Sequence, residues 1–280
     1  MKNRRLNGIA HKSCKSMTMD LKKLLPFCLL LIGCKDNFIY HPNEIRPSEK
    51  NLNLRNLQKL SQLSPKDTFN FILTGDTQLA NAELEDFIQH VNARDDIEFM
   101  IINGDLTDFG RNYEYNLLAR QLLKLDIPFI SVIGNHDMLG NGRMIYNEMF
   151  GPENFTFNYG LNRFVIINSN FREGSGSEEL PDLNWLQQAV TGGASTSNTF
   201  VASHIAPFSA DFNPAKEQQY HDIISTEPTL RLSMHGHDHH FSITQPYDDV
   251  RYVVAGAMSY RNYALVSVKG TSVTINKIEF

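Results

Sequence analysis

The sequence predicts an α/β protein: a four-layer α/β/β/α sandwich of two mixed β-sheets flanked by helices, with its site at the carboxyl ends of strands. Three observations point there. Short apolar runs rich in β-branched and aromatic residues alternate with stretches whose apolar residues fall at helical spacing. Polar clusters close three successive runs, at Gly75-Asp76, Gly104-Asp105 and Gly134-Asn135-His136-Asp137, spaced 29 and then 30 residues apart, about the length of one βαβ unit. The second half is richer in strand-like runs, enough for a second sheet packed on the first.

Composition narrows the function classes. A chain of 280 residues, 41% hydrophobic and 20% charged, with a mean hydropathy of −0.31, is neither wholly disordered nor a polytopic membrane protein. Cys14, Cys28 and Cys34 all lie in the first 34 residues, so the rest can form no intrachain disulfide and no thiolate metal site. Residues 1–34 carry seven Lys/Arg against the single acid Asp20, a net +6, which leaves −11 on the remainder of a chain whose total is −5. Such an acidic body argues against non-specific binding of long nucleic acid. It leaves open a phosphate ester held through metal ions.

The first element is an address. Lys22 and Lys23 precede an apolar run over 24–32, too short for the ~20 residues that cross a bilayer as a helix, and Gly33-Cys34 follow. Basic flank, short apolar region and small residue describe a secretory signal over 1–34. Leu31-Ile32-Gly33-Cys34 resembles the lipobox of bacterial lipoproteins, which implies that Cys34 is lipidated and becomes the first mature residue. A start at Met17 or Met19 would give the signal a more ordinary length. Residues 35–66 are read as a tether, polar from Lys35 to about Lys50 with Pro42 and Pro47. Within it Leu52, Leu54, Leu57, Leu60 and Leu63 suggest a short amphipathic helix, read as packing on the domain in preference to lying near a membrane.

The domain proper is placed at 67–280. Thr68 to Leu73 reads as a strand; Leu84, Phe87, Ile88 and Val91 mark a helix with Asn81 as its N-cap. Ile97 to Ile102 is the second strand, Leu118, Leu122 and Leu125 the next helical stripe, and Ile127 to Ile133 the third strand. Phe155–Phe157 and Phe164–Ile167 look like an antiparallel pair, followed by a helix over about 181–190. Strands then end at His204 and at His235-Gly236-His237-Asp238-His239-His240, and three more close the chain at 251–255, 263–268 and 272–280.

Collected, the strand-end residues Asp76, Gln78, Asp105, Asn135, His136, His204, His237 and His239 offer carboxylates, imidazoles and amide oxygens. That donor set suits Mn²⁺, Fe²⁺, Zn²⁺ or Mg²⁺. One carboxylate can bridge two ions ~3.5–4 Å apart, the arrangement used for in-line displacement at phosphorus. Singly, such residues are usually turn, cap or core residues. Their joint order is another matter, and it resembles the calcineurin-like metallophosphoesterase superfamily over roughly 68–260. The superfamily's D-x-H, GD, GNH[DE], lone H and GHxH stand here as Asp76-Thr77-Gln78, Gly104-Asp105, Gly134-Asn135-His136-Asp137, His204 and Gly236-His237-Asp238-His239. Asn103 to Asp108 also looks like the longer second motif of bacterial members active on cyclic nucleotides.

The resemblance implies two divalent cations, Mn²⁺, Fe²⁺ or Zn²⁺, with Asp76 and His239 on the first, Asn135, His204 and His237 on the second, and Asp105 bridging. Gln78 replaces the expected histidine, either as a weaker neutral ligand or as a partner for a bound water. His136 would act on the phosphoryl group or leaving oxygen, oriented by Asp137. Arg111 and Arg143 are carried as candidate substrate-phosphate contacts, although solvated surface cations are the commoner reading of both, as of Arg261. The expected function is hydrolysis of a phosphate ester of a small molecule by a metal-activated hydroxide, in an exported, lipid-anchored monomer of the bacterial cell envelope. A phosphodiesterase for nucleotides or lipid head groups and a non-catalytic binding module are the alternatives.

Overall fold

A computed structural model describes residues 41, 43–192, 196–247 and 249–280. The signal, the lipobox, Cys34 and the alternative starts lie outside the described residues. The leucine stretch forms helix α1 (Leu52–Ser61), which buries Leu52 and Leu60 while Leu54 faces solvent. The tether reading of 35–66 is corrected for its described part: the Asn43 carbonyl accepts from Asn141, the Arg46 and Ser48 N–H groups donate to Asn112 and Asn116, and α1 packs on the body. Two buried asparagines fix α1 in place. Asn53 donates to the Ser131 carbonyl (3.0 Å) and accepts from the Ser131 N–H (2.8 Å), and Asn56 accepts from the Phe129 N–H (3.3 Å).

Those contacts fall on an edge strand. The first sheet runs β11-β10-β1-β2-β3, where β1 is Thr68–Thr74, β2 Ile97–Asn103, β3 Phe129–Val132, β10 Asn262–Lys269 and β11 Ser272–Glu279. Strands β1, β2 and β3 are mutually parallel, while β10 and β11 join antiparallel. The second sheet runs β4-β5-β6-β7-β9-β8, with β4 Phe155–Tyr159, β5 Asn162–Ile166, β6 Asn198–Ala202, β7 Leu230–His235, β8 Ser242–Thr244 and β9 Tyr252–Val254. Its four central strands are parallel and its two edges antiparallel, so both sheets are mixed.

Alternation along the strands makes the layers. In β1, Phe71 and Leu73 face the second sheet while Ile72 faces the helices. Between the sheets Phe71 stacks on Phe99 at 5.2 Å, Phe164 on Phe200 at 4.8 Å, and the two stacks meet edge to face. Helices α2 (Asn81–Asn92), α3 (Asn112–Leu122) and α4 (Gly142–Met149) cover the outer face of the first sheet; α5 (Leu183–Thr191) and α6 (Glu217–Ser225) cover that of the second. The four-layer arrangement is the predicted one. Three details differ. Ala80, not Asn81, precedes α2, and no side chain caps it. The third strand is cut to four residues because Pro128, without an N–H, cannot pair as a donor. Helices α4 and α6 and strand β8 were not expected, although α4 buries Ile145, Tyr146 and Met149 and α6 buries Tyr220, Ile223 and Ile224 at helical spacing.

Candidate metal centre

Five strands of the two sheets end at one place, and the turns that follow carry the predicted donors. Asp76 follows β1, Asp105 follows β2, Asn135 lies just beyond β3, His204 just beyond β6, and His237 and His239 follow β7. The turns are tight enough to force unusual backbone. Asp76, Asp105, His237 and His239 all adopt positive φ, at 50°, 50°, 71° and 62°. Non-glycine residues rarely stay there unless the surroundings impose it. Gly134 is required for a different reason: a Cβ at that position would overlap the backbone and carboxylate of Asp105.

The donors converge in two groups that share one residue. Asp76, Asp105 and His239 form the first, and Asp105, His204 and His237 the second; in each group the donor atoms all lie within 4.8 Å of one another. Asn135 joins the second group, its Oδ1 3.1 Å from His204 Nε2 and 3.1 Å from His237 Nδ1. Outer contacts set the tautomers. His204 Nδ1 donates to the Asn103 carbonyl (2.6 Å), which turns Nε2 to Asp105 at 3.2 Å. Asp76 accepts from the His237 N–H and lies 3.4 Å from His239 Nε2. Burial opposes a charge on His204, yet the carboxylates of Asp105 and Asp76 push its pKa up to about 10. Buried acids that draw positive charge this strongly, beside imidazole and amide donors, are what a divalent cation requires, and the residues fit two such ions.

Gln78 stands at the same edge. Its backbone N–H donates to the Asp105 carbonyl (3.2 Å), and its side-chain Oε1 is buried with no hydrogen-bond partner. An acceptor left unpaired in that position suits either reading of Gln78, as ligand or as partner to a bound water. His136 is half-buried, held by its own N–H on Asp105 Oδ1 (3.0 Å) and by a ring contact from Nδ1 to the Asp108 carbonyl (2.7 Å).

The role given to Asp137 is corrected. Its carboxylate does not orient His136. It accepts from the N–H groups of Leu106, Thr107 and Gly134 and from the Thr107 hydroxyl, at 2.9–3.0 Å, binding the turn after β2 to the turn after β3. Burial, reinforced by the charge of Asp105, pushes its pKa up to about 7. Arg143 is corrected as well. It pairs with Glu153 and Glu178 and lines a separate cavity of about 410 Å³, to which none of the metal donors contributes. Arg111 lies exposed on the turn after β2, its guanidinium 4.7 Å from the Phe109 ring centre. Arg261 is engaged by Asp86 and the Phe280 ring, away from the centre.

Two residues escaped the sequence reading. Asp211 accepts from His237 Nε2 at 2.8 Å, which leaves Nδ1 facing Asn135, and Arg172 pairs with the far side of Asp211. Neither belongs to a motif; a histidine in need of an outer carboxylate was the only available signal.

The profile of the calcineurin-like phosphoesterase family matches residues 69–241. A relative from Arcobacter nitrofigilis, described as a probable glycerophosphodiester phosphodiesterase, is 37% identical over 62 residues, 22% of this chain and 23% of that protein; the match thus spans under a quarter of the relative's length. Among solved structures, a dimetal phosphatase from Danio rerio aligns with a TM-score of 0.59 at 14% identity, covering 78% of this chain and all of that one. The purple acid phosphatase PPD1 of yellow lupin seeds gives 0.62 at 12% identity, over 76% of this chain and 51% of its own. At such identities the structures speak for the fold.

Proposed function

The chain belongs to the calcineurin-like phosphoesterase family, and from that premise we propose that it hydrolyses a phosphate ester of a small molecule at a centre of two divalent cations. The observation that carries the reading is the pair of donor groups sharing Asp105. Asp76 and His239 would hold one cation, Asn135, His204 and His237 the other, and Asp105 both; Mn²⁺, Fe²⁺ and Zn²⁺ suit such a set. Bound there, the cations supply positive charge that draws the phosphoryl oxygens and makes an attacking water more acidic. The protein's own part is a proton at His136. Because Nδ1 donates its N–H to the Asp108 carbonyl, Nε2 is the atom left to serve the substrate. Protonated there, His136 donates to the leaving oxygen as its bond to phosphorus breaks. Asp137 holds the two turns that carry Asp105 and His136 in register.

A diester is the second reading of the substrate, favoured by the short match to a probable glycerophosphodiester phosphodiesterase. Export and lipid anchoring through Cys34 belong to the same proposal, supported by the basic flank, the nine-residue apolar run at 24–32 and Gly33-Cys34. Among the described residues no helix is long and apolar enough to cross a membrane.

The test is hydrolysis of p-nitrophenyl phosphate and bis-p-nitrophenyl phosphate with Mn²⁺, Zn²⁺ or chelator. Turnover is expected with metal and absent with chelator, and Asp105→Asn and His136→Ala are expected to lower kcat by about 100-fold or more. The preferred ester decides between monoester and diester. Folded, metal-loaded protein without turnover on either would overturn the hydrolase reading in favour of a binding module.

A further inference from the structure

Large apolar side chains stand exposed on five separate loops at the donor-bearing edge of the sandwich. Leu79 is 80% exposed, Phe109 49% and Tyr260 55%, and Leu139 and Phe171 are also exposed. Each is tied to the centre through its own loop. Leu79 adjoins Gln78, whose N–H is bonded to Asp105. Phe109 adjoins Asp108, whose carbonyl holds the His136 ring. Leu139 donates its N–H to the His136 carbonyl. Phe171 adjoins Arg172, the partner of Asp211. The Tyr260 ring lies 5.1 Å from that of His240, next to His239, on a loop where the Met258 N–H reaches the Asp76 carbonyl.

Leu79 breaks two local rules at once. At φ 56° glycine or asparagine would fit the backbone, and at such exposure a polar side chain would be the ordinary choice. An apolar surface laid over Leu79 would remove the cost of that exposure. The collar also carries charge: Arg111 stands over Phe109, whereas Arg172, next to Phe171, is already paired with Asp211. A cation among apolar side chains complements a molecule that is anionic at one end and hydrophobic at the other. A flat hydrocarbon surface would leave the Arg111 guanidinium without counter-charge, and the −11 borne by residues 35–280 repels an anionic membrane.

We propose that Leu79, Phe109, Leu139, Phe171 and Tyr260 form an apolar collar that selects phosphate esters of hydrophobic alcohols, alkyl or aryl, over those of small polar ones. The inference takes its location from the hydrolase reading above. In the reaction a water oxygen joins phosphorus, the P–O bond to the alcohol breaks, and the alcohol departs with a proton while its apolar body rests on the collar.

The experiment measures two quantities on the Mn²⁺-loaded full chain: kcat/KM for methyl, butyl and hexyl phosphate, and Kd for methyl-, butyl- and hexylphosphonate, which cannot be hydrolysed. A fully buried methylene is worth roughly fourfold in affinity. Partial cover should still make hexylphosphonate bind at least tenfold tighter than methylphosphonate. Leu79→Asn, which suits the backbone, and Phe109→Ser should each reduce that ratio threefold or more. Equal affinity for the three phosphonates overturns the collar, as does a ratio that both variants leave unchanged. Chain-length-dependent binding without turnover keeps the collar and removes the hydrolase reading; turnover without length dependence does the reverse. A sedimentation shift in Phe109→Ser with an unaltered ratio gives the collar to a second copy of the chain and overturns the proposal.

Discussion

The imidazole of His237 sits between Asn135 and Asp211, and it is the outer partner that decides which nitrogen faces the centre. A carboxylate in that place also raises the basicity of the inner nitrogen, and its loss typically weakens metal binding 10- to 100-fold. Asp211→Ala should therefore lower affinity for the second cation by roughly that factor, measured by Mn²⁺ titration, with little change in the unfolding midpoint of the metal-free protein. Unchanged affinity would reduce Asp211 to a surface ion pair with Arg172. Asp211 was illegible in the sequence because 26 residues separate it from its partner and its loop has no periodicity. Asp76, Asp105, Asn135, His204, His237 and His239 were legible for the opposite reason: each closes an apolar run that the pattern marks as a strand. Adjacency misled in the case of Asp137. One step along the short turn from His136 points its carboxylate at backbone N–H groups of two loops, a placement fixed by the fold and invisible in a motif.

Among elements, α4 and the loops before β4 and α5 are tied by one cation. Arg143 bonds both Glu153 and Glu178, and Asn168 and Asn147 add to Glu153. Against burial, which would raise it, these partners hold the Glu153 carboxyl below its usual value of 4.5; Glu178 is held low chiefly by Arg143. A carboxylate depressed in the folded state stabilises it above the unfolded pKa, and that contribution is lost as pH falls from about 4.5 through the folded value. Arg143→Met should cost roughly 2 kcal/mol at pH 7, and its stability should converge with that of the parent protein toward pH 3. Urea unfolding at several pH values measures both; a pH-independent difference would deny the link. The sequence displayed Arg143 as a charge without showing its partners, so a structural clamp passed for a substrate contact. Most strands read correctly because alternation and run length are local signals, and the three-residue β8 is too short to carry either; the stripes of α4 and α6 were present in the sequence and went unread.

For the molecule as a whole, the four layers bring both sheets' strand ends to a single edge, so that a centre assembled from residues 76 to 239 needs no cleft between domains. The proposed export and lipid anchoring concern the other end of the chain. Cys34→Ser should move the protein from the membrane fraction to the soluble one and abolish labelling by radioactive palmitate; retention in the membrane would count against a lipid anchor. Helix α1 has a consequence of another kind. Asn53 and Asn56 meet the border of the first sheet with side-chain amides, offering β3 its hydrogen bonds while presenting no strand of their own for a further chain to join. A fragment begun at residue 67 would keep every candidate metal donor and lose this stopper, leaving the Phe129 and Ser131 N–H groups open to a neighbouring strand. Polymerisation, ahead of any loss of chemistry, is the form that damage would take.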